Sequence, residues 1–221
     1  MMKPKLARDA GRRAMVVNEV VQSVVVPTGD FGPGVWPALL PERAPRRSLV
    51  LGVGGGTVIH LMTQRFGALP IFGIEIDPRV LALAMEHFAL DLPHLDLIVA
   101  DVTEYVPALA AARRAIDDVV MAEQSGFDYI LVDVYEGGEI VRGTLARPFL
   151  RDLRALATPD GTIVYNFFHD GRLNARLHRL RQVLHVERTI EIDLNVVVHC
   201  AASSPRPSTA TNPPTGSRLS L

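Results

Sequence analysis

The chain has 221 residues, which is enough for one domain with a sizeable core. Its 23 lysines and arginines nearly balance 24 aspartates and glutamates, so the net charge of −1 gives no support for a nucleic-acid partner. The sequence contains no uncharged apolar run of about 18 residues, so no membrane span is expected.

The cysteine and histidine content argues against a disulfide-stabilised protein and against a metal-binding one. The single cysteine, Cys200, excludes an intrachain disulfide and a cysteine-based zinc site. The histidines show no metal-ligand spacing, so no metal is expected. The N-terminus carries basic residues but no apolar block after them, which argues against a signal peptide. We therefore expect a cytoplasmic protein.

Residues 1–47 are predicted to form a β-hairpin and a linker. The stretch RRAMVVNEVVQSVVVP, residues 12–27, is rich in β-branched residues and is interrupted by Asn18-Glu19, which indicates two short strands. Residues 28–47 carry four prolines and three glycines and read as a connection. Exposed strands invite edge pairing, so a homo-oligomer through these strands is a hypothesis.

From Ser48 onward strands alternate with helices, which predicts an α/β domain with a mainly parallel sheet. The predicted strands are 48–53, 70–76, 95–100, 127–134, 162–168, 185–192 and 195–202. The predicted helices are 56–66, 78–89, 103–122, 145–157 and 173–184. Residues 48–202 are expected to form this domain, and the Pro/Ser/Thr-rich residues 203–221 a disordered tail.

The stretch LVLGVGGGTVIHL, residues 49–61, places a glycine turn between a strand and a helix. Gly52, Gly54, Gly55 and Gly56 permit positive φ and let a ligand approach the backbone. The start of the next helix offers unpaired N–H groups, which favours an anionic or hydrogen-bond-accepting ligand. A Rossmann dehydrogenase is an alternative, but Thr57 stands where close helix packing asks for Gly or Ala.

Acidic residues stand at the tips of the next three strands. Glu75 lies where an acid binds the hydroxyls of a nucleotide ribose, although it could instead cap a surface turn with Asp77. Asp101 could accept a hydrogen bond from the exocyclic amine of adenine, or be the N-cap of the next helix. Asp133 is predicted to face the crevice where open α/β sheets bind ligands.

The loop YEGGEI after Asp133 carries Tyr135, Glu136 and Glu139. It is rich in glycine and acidic groups, so it could cover the site and contact a substrate. It could equally be a solvated acidic turn.

Together, GVGGGTV, GIEIDP, VADV and FDYILVDVY resemble the spermidine synthase-like branch of the class I methyltransferase fold, over about residues 11–168. The resemblance implies a Rossmann-like, mainly parallel seven-stranded sheet. It also implies that the glycine turn and Glu75 bind S-adenosylmethionine or its decarboxylated form, that Asp101 contacts adenine, and that Asp133 orients and deprotonates an attacking amine.

The residue types suit this chemistry. An amine with a pKa of about 10 is mostly protonated near neutral pH and must lose a proton before it attacks. A nearby carboxylate can accept that proton and hold the amine in line. Because the sulfonium is already activated, no metal is required.

The sequence departs from that family at three places. Spermidine synthases have an aspartate at the position of Gly55, which would repel the carboxylate of ordinary S-adenosylmethionine by about 4 kcal/mol at a charge separation of ~4 Å. With Gly55, ordinary S-adenosylmethionine becomes admissible. The family's tyrosine- and histidine-containing substrate segment has no clear match between Val26 and Ser48, and its D-P-x-G-P-A lid is replaced by YEGGEIVRG, with Glu136 at the second aspartate.

Three functions therefore stay open. The chain is an aminopropyltransferase-like enzyme acting on a small-molecule amine, a methyltransferase acting on a small acceptor, or a non-catalytic nucleoside-binding module. The identity of the preferred cofactor separates the first two, and any turnover separates both from the third.

Overall fold

The computed structural model describes residues 4–17, 19–30, 32–117, 126–136 and 138–203. Several sequence-based expectations fall outside these residues: the tail beyond residue 203, the end of predicted helix 103–122, Asn18 of the interrupted hairpin, and Gly137 of the acidic loop. The division of the chain at residues 47 and 202 also stays a prediction.

A small antiparallel sheet opens the fold, with β1 (Lys5–Asp9), β2 (Arg12–Val17) and β3 (Val20–Val24) in the order β1-β2-β3. The predicted hairpin corresponds to β2 and β3, whereas β1 was not predicted. The KLARD sequence of β1 lacks an apolar alternation, and its side chains are mostly exposed. Pairing with β2, and not local hydrophobicity, makes this segment a strand. A homo-oligomer through these strands stays a prediction.

The main domain alternates strands and helices as expected. Its strands are β4 (Ser48–Leu51), β5 (Ile71–Glu75), β6 (Leu95–Val99), β7 (Phe127–Val132), β8 (Tyr135–Glu136), β9 (Glu139–Ile140), β10 (Ala157–Phe168), β11 (His185–Ile192) and β12 (Asn195–Ala201). Its α-helices are α1 (Thr57–Phe66), α2 (Pro78–Phe88), α3 (Val102–Asp117), α4 (Arg147–Leu156) and α5 (Leu173–Arg181), and 3₁₀ helices cover Trp36–Leu39 and Arg142–Leu145.

Within the described residues, one sheet has seven strands in the order β11-β12-β10-β7-β4-β5-β6. Strand β12 runs antiparallel to both of its neighbours, and the other pairings are parallel. The predicted fold class, a Rossmann-like α/β fold with a mainly parallel seven-stranded sheet, is confirmed, and the predicted N-terminal β-hairpin is extended by β1 to a three-stranded sheet. Strands β5 and β7 flank β4 on opposite sides, so the carboxyl ends of these strands border a topological switch point, where ligands of such sheets bind.

Within the described residues each predicted helix differs from the structure by one to three residues at an end, and two of them differ by more than one. The segment 145–157 divides into the 3₁₀ helix Arg142–Leu145 and α4, with Ala146 extended between them. Pro148 lies in the first turn of α4, where its missing N–H has no intrahelical partner to lose. Helix α5 ends at Arg181, three residues before its predicted end at 184.

The sheet buries a hydrophobic cluster on each face. Leu51 and Val132 point to the cluster under α3 and α4, whereas Val50 and Leu131 point to the cluster under α1 and α2. The second cluster also contains core residues of the N-terminal sheet and of the connection after it: Ala14, Met15, Val24, Val26, Leu39 and Leu40. The N-terminal sheet is therefore part of the wall beside the glycine turn. Among the helices described, none has the length and apolar character that a bilayer span requires.

Candidate cofactor and acceptor site

The glycine turn between β4 and α1 is packed against the protein itself. Gly52 has a φ of +85°, and a Cβ there would lie 2.2 Å from the carbonyl oxygen of Asp133. Gly56 is the N-cap of α1 with a φ of +80°, and a Cβ there would lie 2.2 Å from Cδ1 of Leu90. The space beside these two glycines is therefore filled by other parts of the chain. From the sequence alone, a ligand is expected to fill it.

Each glycine amide of the turn donates to an atom of the protein. Gly52 N–H donates to the carbonyl of Ile74 and Gly56 N–H to the carbonyl of Val53. Side chains accept from the other two, because Gly54 N–H donates to Glu75 Oε2 at 3.1 Å and Gly55 N–H to Ser23 Oγ at 2.7 Å. A ligand at the turn would thus be bound mainly by neighbouring side chains.

Two hydroxyl groups, one on β3 and one at the start of α1, connect β3 to the glycine turn. Ser23 Oγ accepts from Gly55, and Thr57 Oγ1 accepts from the N–H of Val24 and donates to its carbonyl, each at 2.9 Å. A Cβ on Gly55 would lie 2.8 Å from Cβ of Ser23 and 3.1 Å from the Phe88 ring. The sequence reasoning missed Ser23, whose only signal is a hydroxyl within a run of β-branched residues.

Glu75 ends β5 and contacts the glycine turn. Its Oε2 accepts from Gly54, and its Oε1 accepts from the N–H groups of Ile76 at 2.9 Å and Asp77 at 3.2 Å. Since a carboxylate offers about four acceptor positions, a ribose hydroxyl can use the one that remains. The structural alternative for Glu75 is thus observed, because it caps its own turn with Asp77, and its binding of a ribose stays a prediction.

Two large apolar side chains stand exposed beside this carboxylate. Ile76 follows Glu75 and is 56% exposed, and Val99, which pairs with Glu75 across β5 and β6, is 54% exposed. Isolated exposed apolar side chains are common, but these two flank an acid at the switch point. They present apolar surface beside the Glu75 carboxylate, and the sequence reasoning did not single them out.

Asp101 is the N-cap of α3. Its Oδ1 accepts from the N–H and the hydroxyl of Thr103, both at 2.7 Å. The structural alternative for Asp101 is thus observed, and both of these bonds use Oδ1. The remaining oxygen, Oδ2, is available to a donor such as an exocyclic amine.

Asp133 directly follows β7 and lies next to the glycine turn. Its N–H donates to the carbonyl of Leu51 at 2.9 Å, and its Oδ1 accepts from Asn166 Nδ2 at 2.9 Å. Burial raises the pKa of Asp133 to about 6, and the hydrogen bond from Asn166 opposes that increase. The carboxylate is therefore mostly ionised at neutral pH and close to the range where it takes up a proton.

The acidic loop is a short β-hairpin in which β8 pairs with β9, Tyr135 with Ile140 and Glu136 with Glu139. Tyr135 donates its hydroxyl to the carbonyl of Asn166 at 2.7 Å, and burial raises its pKa. Glu139 forms an exposed ion pair with Arg172 at 3.1 Å, and Glu136 is exposed. The structure thus connects Tyr135 to the residue that holds Asp133, whereas Glu139 pairs elsewhere.

Comparison with known proteins shows which proteins the chain is similar to. No protein-family model matches the chain. The polyamine aminopropyltransferase of Neisseria meningitidis serogroup A is 27% identical over 174 residues, which cover 76% of this chain and 61% of that relative. The chain therefore spans about three fifths of the length of this relative.

Two solved structures have the same fold. A probable spermidine synthase from Corynebacterium glutamicum superposes with a TM-score of 0.70 at 17% identity, covering 94% of this chain and 80% of that one. Human methyltransferase-like protein 13, solved in complex with SAH, superposes with a TM-score of 0.63 at 25% identity, covering 79% of each chain. The chain therefore has the class I methyltransferase fold and is similar to polyamine aminopropyltransferases and to methyltransferases, as the sequence motifs predict.

Proposed function

We propose that this protein is a transferase that binds decarboxylated S-adenosylmethionine and transfers its aminopropyl group to an amine. The observation that carries the proposal is Asp133, whose partly buried carboxyl has a pKa raised to about 6 and whose backbone carbonyl lies against Gly52 of the glycine turn. Its position beside an acidic hairpin suits a cationic acceptor. The likeness to a polyamine aminopropyltransferase supports the same reaction.

The residues at the switch point fit a nucleoside cofactor. Glu75 offers an acceptor for ribose hydroxyls, Asp101 Oδ2 offers one for an adenine amine, and Ile76 and Val99 offer apolar contact to the base. The amides of Gly52, Gly54, Gly55 and Gly56 already have partners, so these glycines contribute shape. They let β4 turn within contact distance of β3 and β7, which builds the walls of the site.

Asp133 would act on the nucleophile. When bound, the cofactor supplies a carbon beside a positive sulfur, where a new C–N bond forms as the C–S bond breaks and its electron pair stays on sulfur. Asp133 accepts the proton that the amine gives up, and its orientation keeps the amine in line. A pKa of about 6 is suitable, since a general base works best when its pKa lies near the operating pH.

The hairpin β8–β9 is the proposed acceptor cover. Glu136 is exposed three residues after Asp133, and its negative charge favours approach of a polycationic amine. Tyr135 holds the hairpin to β10 through the carbonyl of Asn166. In this proposal Glu136 meets a distal ammonium group, while Glu139 remains paired with Arg172.

Methyl transfer from ordinary S-adenosylmethionine is the second candidate, and the surroundings of Gly55 favour it. Gly55 has no carboxylate to repel that of the cofactor, and the space where its side chain would begin is taken by Ser23 and Phe88. The likeness to a methyltransferase solved with SAH supports binding of the intact cofactor skeleton.

The experiment that tests the proposal measures binding and products with the same protein. Calorimetry would compare S-adenosylmethionine with its decarboxylated form, and mass spectrometry would follow incubation of each with short linear polyamines. Aminopropyl transfer releases methylthioadenosine, whereas methyl transfer releases S-adenosylhomocysteine. We expect preference for the decarboxylated form and release of methylthioadenosine. Release of S-adenosylhomocysteine would make methyl transfer the function, and binding without turnover would indicate a nucleoside-binding module.

Three further expectations belong to this proposal and rest on the sequence: a cytoplasmic location, no nucleic-acid partner and a homo-oligomer through the N-terminal strands. Light scattering of the purified chain tests the last of them. A variant that interrupts β1, such as Ala7→Pro, should dissociate an oligomer that pairs through this edge.

A further inference from the structure

A row of polar side chains crosses the ends of three neighbouring strands, β7, β10 and β12. Tyr165 pairs with Val132 in the parallel ladder, so the next residue, Asn166, is level with Asp133. Asn166 pairs with Val197 in the antiparallel ladder, and Asn195 lies two residues before Val197 on the same strand. Since side chains two apart on a strand point to the same face, all three polar groups share one face of the sheet.

The hydrogen bonds in this row all donate toward Asp133. Asn195 Nδ2 donates to Asn166 Oδ1 at 2.9 Å, and Asn166 Nδ2 donates to Asp133 Oδ1 at 2.9 Å. An ionised carboxylate can only accept, so Asn166 must turn its NH₂ group toward Asp133 and its oxygen away. Asn195 donates to that oxygen and so selects the same orientation.

Packing alone does not explain why an asparagine stands at position 166. Asn166 is 6% exposed, and valines with the same orientation, Val164 and Val197, are buried in the adjacent cluster. A buried amide costs free energy unless it is hydrogen-bonded, so an apolar residue would stabilise this position as well. The amide side chain adds a donor aimed at a carboxylate.

We infer that Asn166 and Asn195 are positioning residues, which direct the Asp133 carboxylate so that Oδ1 is held and Oδ2 faces the acceptor amine. This inference rests on the proposed function for its catalytic meaning. Asn166 acts on Asp133 directly, and Asn195 acts only through Asn166. Tyr135 supports the same arrangement by donating to the backbone carbonyl of Asn166.

Other titratable and charged groups near this row can affect the measured titration of Asp133. Tyr129 and Tyr135 are close enough to interact electrostatically with Asp133, and Arg176 and Asp170 interact with Tyr135. Arg176 and Asp170 pair with each other at 2.5 Å. Because burial raises the pKa of both tyrosines, neither tyrosine titrates in the mildly acidic range where Asp133 does.

The test compares Asn166→Leu, Asn195→Leu and the double variant. In Asn166→Leu the pKa of Asp133, followed by NMR of isotope-labelled aspartate carboxyl carbons, should rise above about 6, because its hydrogen-bond donor is gone. The value of kcat should fall by about tenfold or more, with KM for the cofactor unchanged. Asn195→Leu should also raise the pKa of Asp133 and lower kcat, each by a smaller amount than Asn166→Leu does.

The double variant gives the sharpest result. If Asn195 works only through Asn166, adding Asn195→Leu to Asn166→Leu should change neither the pKa of Asp133 nor kcat further. Additive losses would overturn the relay, and an unchanged pKa of Asp133 in Asn166→Leu would overturn the inference as a whole. Asn166→Ser keeps a hydroxyl donor, so the pKa of Asp133 and kcat should both lie closer to wild type than in Asn166→Leu.

Two controls separate positioning from stability and from the reaction. Val198→Ala removes buried volume from β12 on the opposite face and should lower stability while leaving the pKa of Asp133 unchanged. If Asn166→Leu does not fold, Asn195→Ala carries the same NMR test. The NMR measurement needs no turnover, so a wild-type protein without aminopropyl transfer would end the proposed function while the hydrogen-bonded row is still tested.

Discussion

The proposed cofactor half of the crevice, with Glu75 and Asp101, and the proposed acceptor half, with Asp133, hold their carboxylates in different ways. Glu75 and Asp101 bind backbone N–H groups of their own turns, within a few residues in sequence, and Glu75 also reaches the glycine turn. Asp133 is held by the side chain of Asn166, which lies 33 residues away on another strand. Bonds within their own turns orient much of Glu75 and Asp101, although Glu75 also reaches Gly54 across 21 residues, whereas the side-chain support of Asp133 depends on correct assembly of β7, β10 and β12.

The strongest test of this difference is Asp133→Asn. Removing the base should lower turnover by about 10²–10⁴-fold, while the affinity for cofactor, measured by calorimetry, should change little because Glu75 and Asp101 are intact. Asp160→Asn, at an exposed position on β10, is the matched control. Turnover retained in Asp133→Asn would show that another group accepts the proton.

Gly52→Ala tests whether the two halves are joined at the glycine turn. The added Cβ would lie 2.2 Å from the carbonyl of Asp133 at a φ of +85°, so we expect a loss of about 2–4 kcal/mol from crowding and backbone strain. Urea unfolding measures it. Gly29→Ala, with a φ of +82° and nothing within 4 Å of its Cβ, carries strain alone and should lose less. Equal losses would contradict the close contact.

The raised pKa of Asp133 predicts opposite effects of pH on activity and on stability. Turnover should rise with pH through about 6, as the carboxyl becomes a base. Because the folded pKa lies above the unfolded value near 3.8, the folded state holds the proton more tightly, and stability from this group is lost as pH rises through about 6.

Asp133→Asn should therefore be more stable than wild type at neutral pH, by about 1–2 kcal/mol after allowance for its partial exposure. The gain should disappear at strongly acidic pH, where both proteins are neutral at this position. Thermal unfolding across pH measures it, and a gain that is the same at every pH would assign the effect to packing.

Ser23→Ala addresses the brace from β3 to the cofactor half. Loss of the hydroxyl leaves the buried Gly55 N–H without its acceptor, which should cost about 1–3 kcal/mol. Cofactor affinity should fall by a few fold, because the turn is less well ordered. Calorimetry on Ser23→Ala and on the exposed control Ser203→Ala tests this. An effect on acceptor KM alone would place Ser23 in the other half.

The smallest effect is expected for Arg172→Ala, which breaks the exposed ion pair with Glu139. Such pairs contribute about 0–1 kcal/mol to stability, and cofactor affinity should not change. Any effect should appear in KM for the acceptor, and should weaken as salt is added. A change in cofactor affinity would show that the hairpin reaches across the crevice.

Much of the fold was predictable because its signals are local. Apolar runs such as those of β4 and β7 identify buried parallel strands, and the glycine turn marks the passage from β4 to α1. The same locality explains the errors, since β1 has no apolar alternation and becomes a strand only by pairing with β2. The predicted helix 145–157 failed at its start, where Ala146 is extended.

The sequence by itself determined the order of strands and helices and the acids at the strand tips, because each depends on a few neighbouring residues. Only the tertiary structure decided which atoms fill the space beside the glycines and which side chains hold Asp133. Ser23 reaches Gly55 across 32 residues and Asn195 reaches Asn166 across 29. No local pattern encodes these contacts, because the first arises where the N-terminal sheet packs on the glycine turn and the second arises from the register of β10 and β12.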